Sequence, residues 1–480
     1  MSFNSPLFFL FLVIVFLAYW RMHRKEQNLF LLFSSYVFYA WWDWRFLSLI
    51  LISSATDFIV GQKLYSAQTR RAKKHWFLVS ILVHLSLLGF FKYFNFFVES
   101  LQSLLAVAGF TDASLSTLHI ILPVGISFYT FQTLSYSIEL YQGKIRPTRD
   151  WVQFFVFVSF FPQLVAGPIE RASHLLGQFK EKRVFELAKA YDGVRQILWG
   201  LFKKAVIADN IAAVVELAYR NPETIAGPQL FAATVFFAVQ IYCDFSGYSD
   251  IAVGTARLFG IDLSRNFRYP YFSKNISEFW SRWHITLTSW FQDFIFVPLY
   301  MRISRIKDIA RFAPAVRHSV SFYLATIIGL SLLGLWHGAA WTFIVFGFSQ
   351  AVFIIVYHAI KKYWDRMGGF LQISLTFCMV LVGFVFFRAQ SLSEALHIFG
   401  TIAADASPEM VAIFFAPMFV KKTIMAVLFV LVEWKQRTKE HVLRIEKAPV
   451  LVRWGIYYAI ILCLLLLGNY DYHPFIYFQF

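Results

Sequence analysis

Residues 6–20 read PLFFLFLVIVFLAYW, and residues 21–25 directly after them read RMHRK. An uncharged apolar run followed by basic residues is typical of a membrane helix that ends in the cytoplasm. A cleavable secretory signal carries its positive charges before the apolar run rather than after it. We therefore expect a retained helix that starts on the outer side of the membrane and ends on the inner side.

The same apolar character extends along the whole chain of 480 residues, of which 58% are hydrophobic and 15% are charged. A typical soluble domain has roughly 25% charged residues, so this chain has more apolar surface than a soluble fold can bury. Its long unbroken apolar runs also exclude a disordered chain, and they lack the short alternating segments of a transmembrane β-barrel. The sequence therefore predicts an all-α polytopic membrane protein.

Candidate spans follow from length, because about 20 apolar residues cross a bilayer. We place twelve of them at residues 6–20, 28–42, 46–62, 76–98, 119–140, 193–215, 229–256, 319–335, 341–360, 371–389, 411–433 and 450–468. Two further apolar runs, 153–167 and 285–300, are interrupted or flanked by positive charge, and we expect both to be re-entrant. We expect residues 1–480 to form a single integral membrane domain, since the sequence shows no soluble domain, long linker or internal repeat.

The basic residues give these spans a direction, because cytoplasmic loops retain Lys and Arg. Most of the 44 basic residues lie in eight segments, namely 21–27, 63–75, 142–151, 171–190, 257–282, 302–317, 361–366 and 435–453. All eight segments fall on the cytoplasmic side if the chain begins outside and every span crosses, although Lys421 and Lys422 do not fit. We predict that both termini lie outside, and the net charge of +16 then needs no nucleic-acid partner.

Polar residues within apolar runs are costly, so they are candidates for function. In the first group, FFPQLVAGPIER at 160–171, two prolines and a glycine break a helix, either for packing or to line a cavity. The second group, YCDFSGYSD at 242–250, contains Asp244 and Asp250. A spacing of six does not place two carboxylates on one helical face. We therefore expect a polar patch satisfied by Lys203 or Lys204 rather than a catalytic dyad.

Two histidines lie in the remaining groups. His284 follows SEFWSRW at 277–283, where we expect Ser277 to cap a helix and Glu278 to pair with Arg282. His337 lies between two spans in GLWHGAAW at 334–341, and its flanking glycines allow close approach of a backbone or a ligand. Either histidine can be a satisfied core residue, but a neutral buried imidazole also suits a general base.

Motifs of several other enzyme classes are absent, since no GxSxG, HExxH, Walker A or GxGxxG pattern occurs. Instead, the four groups resemble the membrane-bound O-acyltransferase superfamily, and within it the bacterial alginate O-acetyltransferase branch. The resemblance covers nearly the whole chain and is carried by AGPIERASHLLGQF at 166–179, WGLFKKAVIADNIA at 199–212, YCDFSGYSDIAVGTARLFGI at 242–261, NFRYPYFSKNISEFWSRWHITLTSWFQDFIFVPLY at 266–300, GLWHGAAWTFIVFG at 334–347 and PFIYFQF at 474–480.

This resemblance implies a ring of helices around a thin central core with a tunnel, set in the bacterial inner membrane with both termini in the periplasm. Acetyl-CoA would be the cytoplasmic donor substrate. The acetyl group would cross the membrane to a periplasmic acetyltransferase partner, which completes the O-acetylation of a polysaccharide such as alginate. The resemblance implies no metal and no bound cofactor.

The same resemblance assigns residues to roles. His337 would be the catalytic base, and His284 the second motif histidine. Arg268, Lys274 and Arg282 would attract the phosphates of coenzyme A. The candidates that would line the tunnel are Asp244, Ser246, Tyr248, Asp250, Asn275, Asp293 and Trp336.

The acceptor stays open at this point. Residues 301–319 read MRISRIKDIARFAPAVRHS, whereas this branch often has a segment rich in Gly and Asn there. Peptidoglycan or cellulose acetylation, or D-alanyl transfer to teichoic acid, would use much the same core. A transporter or a polymer-export component is the alternative that is not an enzyme, but a transporter does not need a general base at His337.

Overall fold

The structure, a computed structural model, describes residues 1, 3–110, 115–405, 408–470 and 475–478. All regular secondary structure in these residues is helical, as the sequence predicted. The chain forms two compact units, Met1–Gly193 with Ala252–Ser264, and Val194–Ile251 with Arg265–Phe480. The single membrane domain stays a prediction.

Nine α-helices lie wholly within the described part of the first unit. They are α1 Pro6–Tyr19, α2 Arg24–Asp43, α3 Leu47–Ser66, α4 Arg70–Leu88, α5 Phe94–Val107, α6 Ile126–Tyr141, α7 Trp151–Ser159, α8 Phe161–Leu164 and α9 Ala172–Leu175. Local sequence sets several starts: Ser5, Thr69 and Asp150 each accept a backbone hydrogen bond as the N-cap of α1, α4 and α7. Gly125, at φ 78°, precedes α6 in a conformation that disfavours other residues.

The interior of the first unit contains a buried polar network between α3, α4 and α6. Asp57 of α3 accepts hydrogen bonds from Ser80 Oγ at 2.6 Å and Ser137 Oγ at 3.1 Å. Its second carboxylate oxygen lies 2.9 Å from Nε2 of His84. Buried polar groups of this kind are stable only when hydrogen-bonded, so the network ties the three helices in one arrangement.

The remaining helices belong mostly to the second unit, with α10 and α12 divided between the units at Gly193 and Ile251. They are α10 Leu187–Leu201, α11 Asp209–Arg220, α12 Gly227–Leu258, α13 Ile276–Arg282, α14 Ile285–Phe291, α15 Val297–Ile303, α16 Lys307–Ala310, α17 Pro314–His337, α18 Trp341–Trp364, α19 Gly369–Arg388, α20 Leu392–Ala404, α21 Glu409–Ala412, α22 Pro417–Gln436 and α23 Val450–Leu467. Two π-helices, Phe202–Ala208 and Gln292–Phe296, join α10 to α11 and α14 to α15.

Each of the twelve segments expected to span the membrane overlaps a helix, with shifted bounds in places. Residues 119–125 precede α6 without helix, and α22 begins at Pro417 rather than at 411. Among the described residues, seven helices are long and apolar enough to cross a membrane: Arg24–Ser66, Arg70–Val107, Gly227–Leu258, Pro314–His337, Trp341–Trp364, Gly369–Arg388 and Val450–Leu467. The chain is therefore a multi-pass membrane protein, while twelve crossings, the tunnel and the two re-entrant segments stay predictions.

Candidate active site

His337 is the last residue of α17, and glycines set the backbone around it. A Cβ on Gly334 would lie 2.0 Å from the carbonyl oxygen of Phe343 on α18. A Cβ on Gly338 would lie 2.1 Å from the ring of Phe343. The flanking glycines therefore let α18 pack directly against the end of α17, and they leave His337 buried.

His284 stands between α13 and α14 in an unusual backbone conformation. Its φ is 43°, and only one other described non-glycine residue, Tyr269, has a positive φ. The backbone on either side is held by hydrogen bonds, from the Ile285 N–H to the Asn266 carbonyl at 2.8 Å and from the Arg268 N–H to the Arg282 carbonyl at 2.9 Å. Such conformations cost free energy and persist where neighbouring contacts enforce them, often at functional sites.

The two histidines lie in one aromatic cluster. The ring centroid of Tyr477 is 5.7 Å from that of His337 and 6.3 Å from that of His284. The Trp336 ring is close to the same two side chains, with its centroid 5.0 Å from that of His337 and 6.0 Å from that of His284. The structure thus brings together the two histidines that are 53 positions apart in the sequence, and places Trp336 with them.

Tyr477 belongs to a C-terminal segment that polar contacts hold in place. The N–H of Ile476 donates to Asp244 Oδ2 at 2.7 Å, and Asp244 Oδ1 lies 2.7 Å from Lys204 Nζ. Further back, the N–H of Asn469 donates to the carbonyl of Ala205 at 3.0 Å. The resemblance includes PFIYFQF at 474–480, but a linear pattern does not show that Tyr477 lies beside a histidine far away in the sequence.

The two carboxylates of the 242–250 group are satisfied by the lysines that the sequence suggested. Asp250 lies 2.6 Å from Lys203 Nζ, which also donates to Ser246 Oγ at 2.8 Å. Lys204 pairs with Asp244, as above, and with Asp209 at 2.7 Å. A π-helix changes the helical register locally, and here it carries both adjacent lysines against α12. The polar patch is confirmed in place of a carboxylate dyad.

The residues expected at the donor mouth lie on and around α13. Arg268 and Lys274 have exposed side chains, while Arg282 pairs with Glu278, as the spacing predicted. The expected cap at Ser277 is wrong. Asn275 caps α13 by accepting from the Glu278 N–H at 2.8 Å, because the helix begins at Ile276, two residues earlier than a Ser277 cap would place it.

Of the other residues expected to line a tunnel, Tyr248 lies with its ring 4.8 Å from that of Phe475, in the same C-terminal segment as Tyr477. Asp293 is exposed on the π-helix after α14. Their roles, like those of Asp244, Ser246, Asp250, Asn275 and Trp336, stay predictions.

The helix break at 160–171 belongs to the first unit and is fully packed. Its residues from Phe160 to Glu170 are buried, and a Cβ on Gly167 would lie 2.4 Å from the Cα of Gln163. Glu170 accepts hydrogen bonds from the backbone and hydroxyl of Ser264 and interacts with His174 Nδ1 at 2.7 Å. The carboxylate of Glu170 therefore finds its hydrogen-bond partners within the first unit.

Comparison with known proteins identifies the family. Residues 146–393 match the model of the membrane-bound O-acyltransferase family. The chain is 36% identical to the probable alginate O-acetylase of Pseudomonas aeruginosa over 84% of this chain and 76% of that protein. It is 34% identical to a Helicobacter pylori peptidoglycan O-acetyltransferase over 82% of this chain and 78% of that protein. A Bacillus subtilis teichoic acid D-alanyltransferase is 29% identical over 56% of this chain and 69% of that protein.

Proposed function

The chain belongs to the membrane-bound O-acyltransferase family, and we propose that it moves an acetyl group from cytoplasmic acetyl-CoA across the bacterial inner membrane for O-acetylation of an extracytoplasmic polysaccharide. O-acyl transfer to a polysaccharide is common to the relatives named above. The observation that carries the proposal within the chain is the cluster in which the buried His284 and His337 lie beside the ring of Tyr477.

The catalytic step follows from this cluster. A ring nitrogen of His337 takes the proton of the acceptor hydroxyl, and the hydroxyl oxygen attacks the carbonyl carbon of the acetyl thioester. The tetrahedral intermediate then collapses with cleavage of the C–S bond. The proton passes to the leaving thiolate, so that the ester and free coenzyme A are the products. His284 donates a hydrogen bond to the oxyanion or orients the acceptor.

The donor end of the reaction is assigned to Arg268, Lys274 and Arg282. Guanidinium and ammonium groups form charge-assisted hydrogen bonds with phosphates. The exposure of Arg268 and Lys274 supports this role, whereas the positive charge of Arg282 is already paired with the carboxylate of Glu278. Acetyl-CoA enters as a substrate in this scheme, with no resident cofactor.

The acceptor is best proposed from the relatives. Alginate comes first, because a relative named for alginate O-acetylation is 36% identical over most of the chain. Peptidoglycan is the second candidate, since a named peptidoglycan O-acetyltransferase is 34% identical over a similar share. Cellulose, and D-alanyl transfer to teichoic acid, are further uses of the same core. In each case we expect a periplasmic partner to complete the transfer.

The proposal is tested with the purified full-length chain in proteoliposomes supplied with radiolabelled acetyl-CoA and the periplasmic partner. We expect coenzyme A release by the wild type and a loss of at least about a hundredfold in His337→Ala and His284→Ala, as for removal of a general base or an oxyanion donor. The matched control is His397→Ala, an exposed histidine on α20. Full activity of His337→Ala would refute the assigned base.

A further inference from the structure

The first unit contains a cavity of about 590 Å³ that the proposed chemistry does not use. Its lining comes from three stretches of chain that are far apart in sequence, around residue 24, at 145–153 and at 172–180. Four cationic side chains are among the lining residues, namely Arg24, Arg146, Arg149 and Lys180. Small-molecule sites typically measure about 300–1,000 Å³, so the cavity has the size of a binding site.

Positive charge exceeds negative charge among the residues that line this cavity, with four cations against one carboxylate. Within the described residues, none of the four cations forms an ion pair. Arg24 donates instead to the backbone carbonyl of Lys180, which fixes two of the three stretches against each other. The one carboxylate that lines the cavity, Asp150, accepts the Gln153 N–H at 3.1 Å as the N-cap of α7.

Topology alone does not account for this arrangement. Basic residues that orient a membrane protein need only lie in the correct loops, and they need not converge. Lys144 and Lys182 lie in the same two segments as Arg146 and Lys180 and are equally exposed, yet they do not line the cavity. Convergence of three guanidinium groups and an ammonium group on one concave space is the arrangement that binds phosphate.

We propose that this cavity is a binding site for a phosphate-bearing anion. Two sources have this chemistry: the headgroup of an acidic phospholipid, and the 3′-phosphate and pyrophosphate of a coenzyme A thioester. The coenzyme A source rests on the proposed function, and the lipid source does not. All four cations lie in segments that the basic-residue pattern assigns to the cytoplasmic side, where both ligands are present.

The test uses the purified full-length chain in nanodiscs and two kinds of probe, a nucleotide and a lipid. Coenzyme A and dephospho-coenzyme A are titrated calorimetrically into phosphatidylcholine discs. Phosphatidylglycerol retained from mixed discs is counted by native mass spectrometry. The test variant is Arg146→Gln with Lys180→Gln, and the matched control is Lys144→Gln with Lys182→Gln, which removes the same charge from the same segments. All four side chains are exposed, so thermal unfolding should be unchanged in both.

We expect the test variant to lose at least about tenfold in affinity for one probe, and the control to change by less than about twofold. Loss, in the test variant, of a preference for coenzyme A over dephospho-coenzyme A would identify the nucleotide source, and loss of phosphatidylglycerol retention would identify the lipid source. Wild-type binding of both probes by the test variant, or an equal loss in the control, would overturn the proposal. Failure of acetyl transfer with this phosphate binding intact would count against the proposed function alone.

Discussion

At the scale of single residues, substitutions of His284 can separate two requirements of this position: a residue that tolerates a left-handed backbone, and an imidazole side chain for the reaction. His284→Asn should fold like the wild type, because Asn tolerates φ near 43°, whereas His284→Val should lose about 1–2 kcal/mol of stability for placing a β-branched residue there. Both variants should lose acyl transfer. Thermal unfolding and coenzyme A release, measured on the same preparations, check this. Equal stability of the two variants would show that the left-handed backbone is not retained.

His174 predicts a pH dependence of stability in the first unit. The hydrogen bond to Glu170, and then the negative charges of Glu170 and Asp262, raise the pKa of His174 against an opposing effect of burial. The stabilisation is therefore fully present below the unfolded pKa of about 6.5 and is lost as pH rises through the higher folded pKa.

We expect a loss of less than about 1 kcal/mol, since the His174 side chain is 46% exposed and water screens the pair. The measurement is thermal unfolding from about pH 6 to pH 9 for the wild type and His174→Gln. The difference between the two should shrink as pH rises. A constant difference across that range would mean that the protonated form of His174 adds nothing to the fold.

The types and order of residues in the sequence were enough to identify His284 and His337, but not Tyr477, whose ring lies beside them. Both histidines stand in motifs that the family resemblance covers, so the sequence named them without a structure. Tyr477 lies beside them in a segment whose Ile476 N–H is bound by Asp244, which in turn pairs with Lys204. Asp57 and His84 were missed for the same reason, since they belong to different helices and only the packing of α3 on α4 joins them.

At the scale of helices, the contact between α17 and α18 depends on one glycine more than on its neighbours. In Gly334→Ala the new Cβ would have to displace the backbone of Phe343, and overpacking of this kind costs about 1–3 kcal/mol. Gly329→Ala, on the same helix, is the control, because nothing lies within 4 Å of its Cβ position. It should leave stability unchanged or raise it by up to about 1 kcal/mol.

Thermal unfolding of the two glycine variants and their coenzyme A release give the readout. Gly334→Ala should lose both stability and activity, because the contact with Phe343 lies one turn before His337. A Gly334→Ala protein as stable and active as Gly329→Ala would show that the helices do not need this close approach.

Helix bounds show where sequence patterns lose precision. The pairing of Glu278 with Arg282 was predictable, because it depends only on a spacing of four within one helix. The cap was not, because Asn275 and Ser277 are both good capping residues and tertiary packing decides which one begins α13. The start of α6 at Ile126 likewise depends on Gly125, next to the Leu164 carbonyl of another helix.

At the scale of the whole molecule, apolar length and charge predict the membrane class but leave the number of crossings open. Several expected spans correspond to helices that are short or moderately polar, such as α1 with 14 residues and α6 with 16. A helix of 16 residues is only about 24 Å long, less than the hydrocarbon core of about 30 Å. Whether such helices cross depends on neighbours that shield them, which no single segment encodes.

The side of the membrane on which each loop lies is therefore the prediction to test directly. Gln68 lies in the basic segment 63–75, and Gln102 lies in the segment 99–118, which has no basic residue. Both side chains are exposed, so each can be replaced by Cys in a chain whose Cys243, Cys378 and Cys463 have been changed to Ala. In intact spheroplasts, a membrane-impermeant maleimide should label Gln102→Cys and spare Gln68→Cys, which becomes reactive only after permeabilisation.

The pair is a matched comparison, because Gln68 precedes and Gln102 follows the same expected span, 76–98, and the charge around the two positions is opposite in kind. Segment 63–75 contains five basic residues and segment 99–118 contains none. The positive-inside rule therefore predicts that the two positions are labelled from opposite sides of the membrane. Labelling of both positions from the outside would mean that Arg70–Val107 does not cross. The expected sides of the segments before Gln68, including the N-terminus, would then have to be reversed, while the later loops would keep theirs.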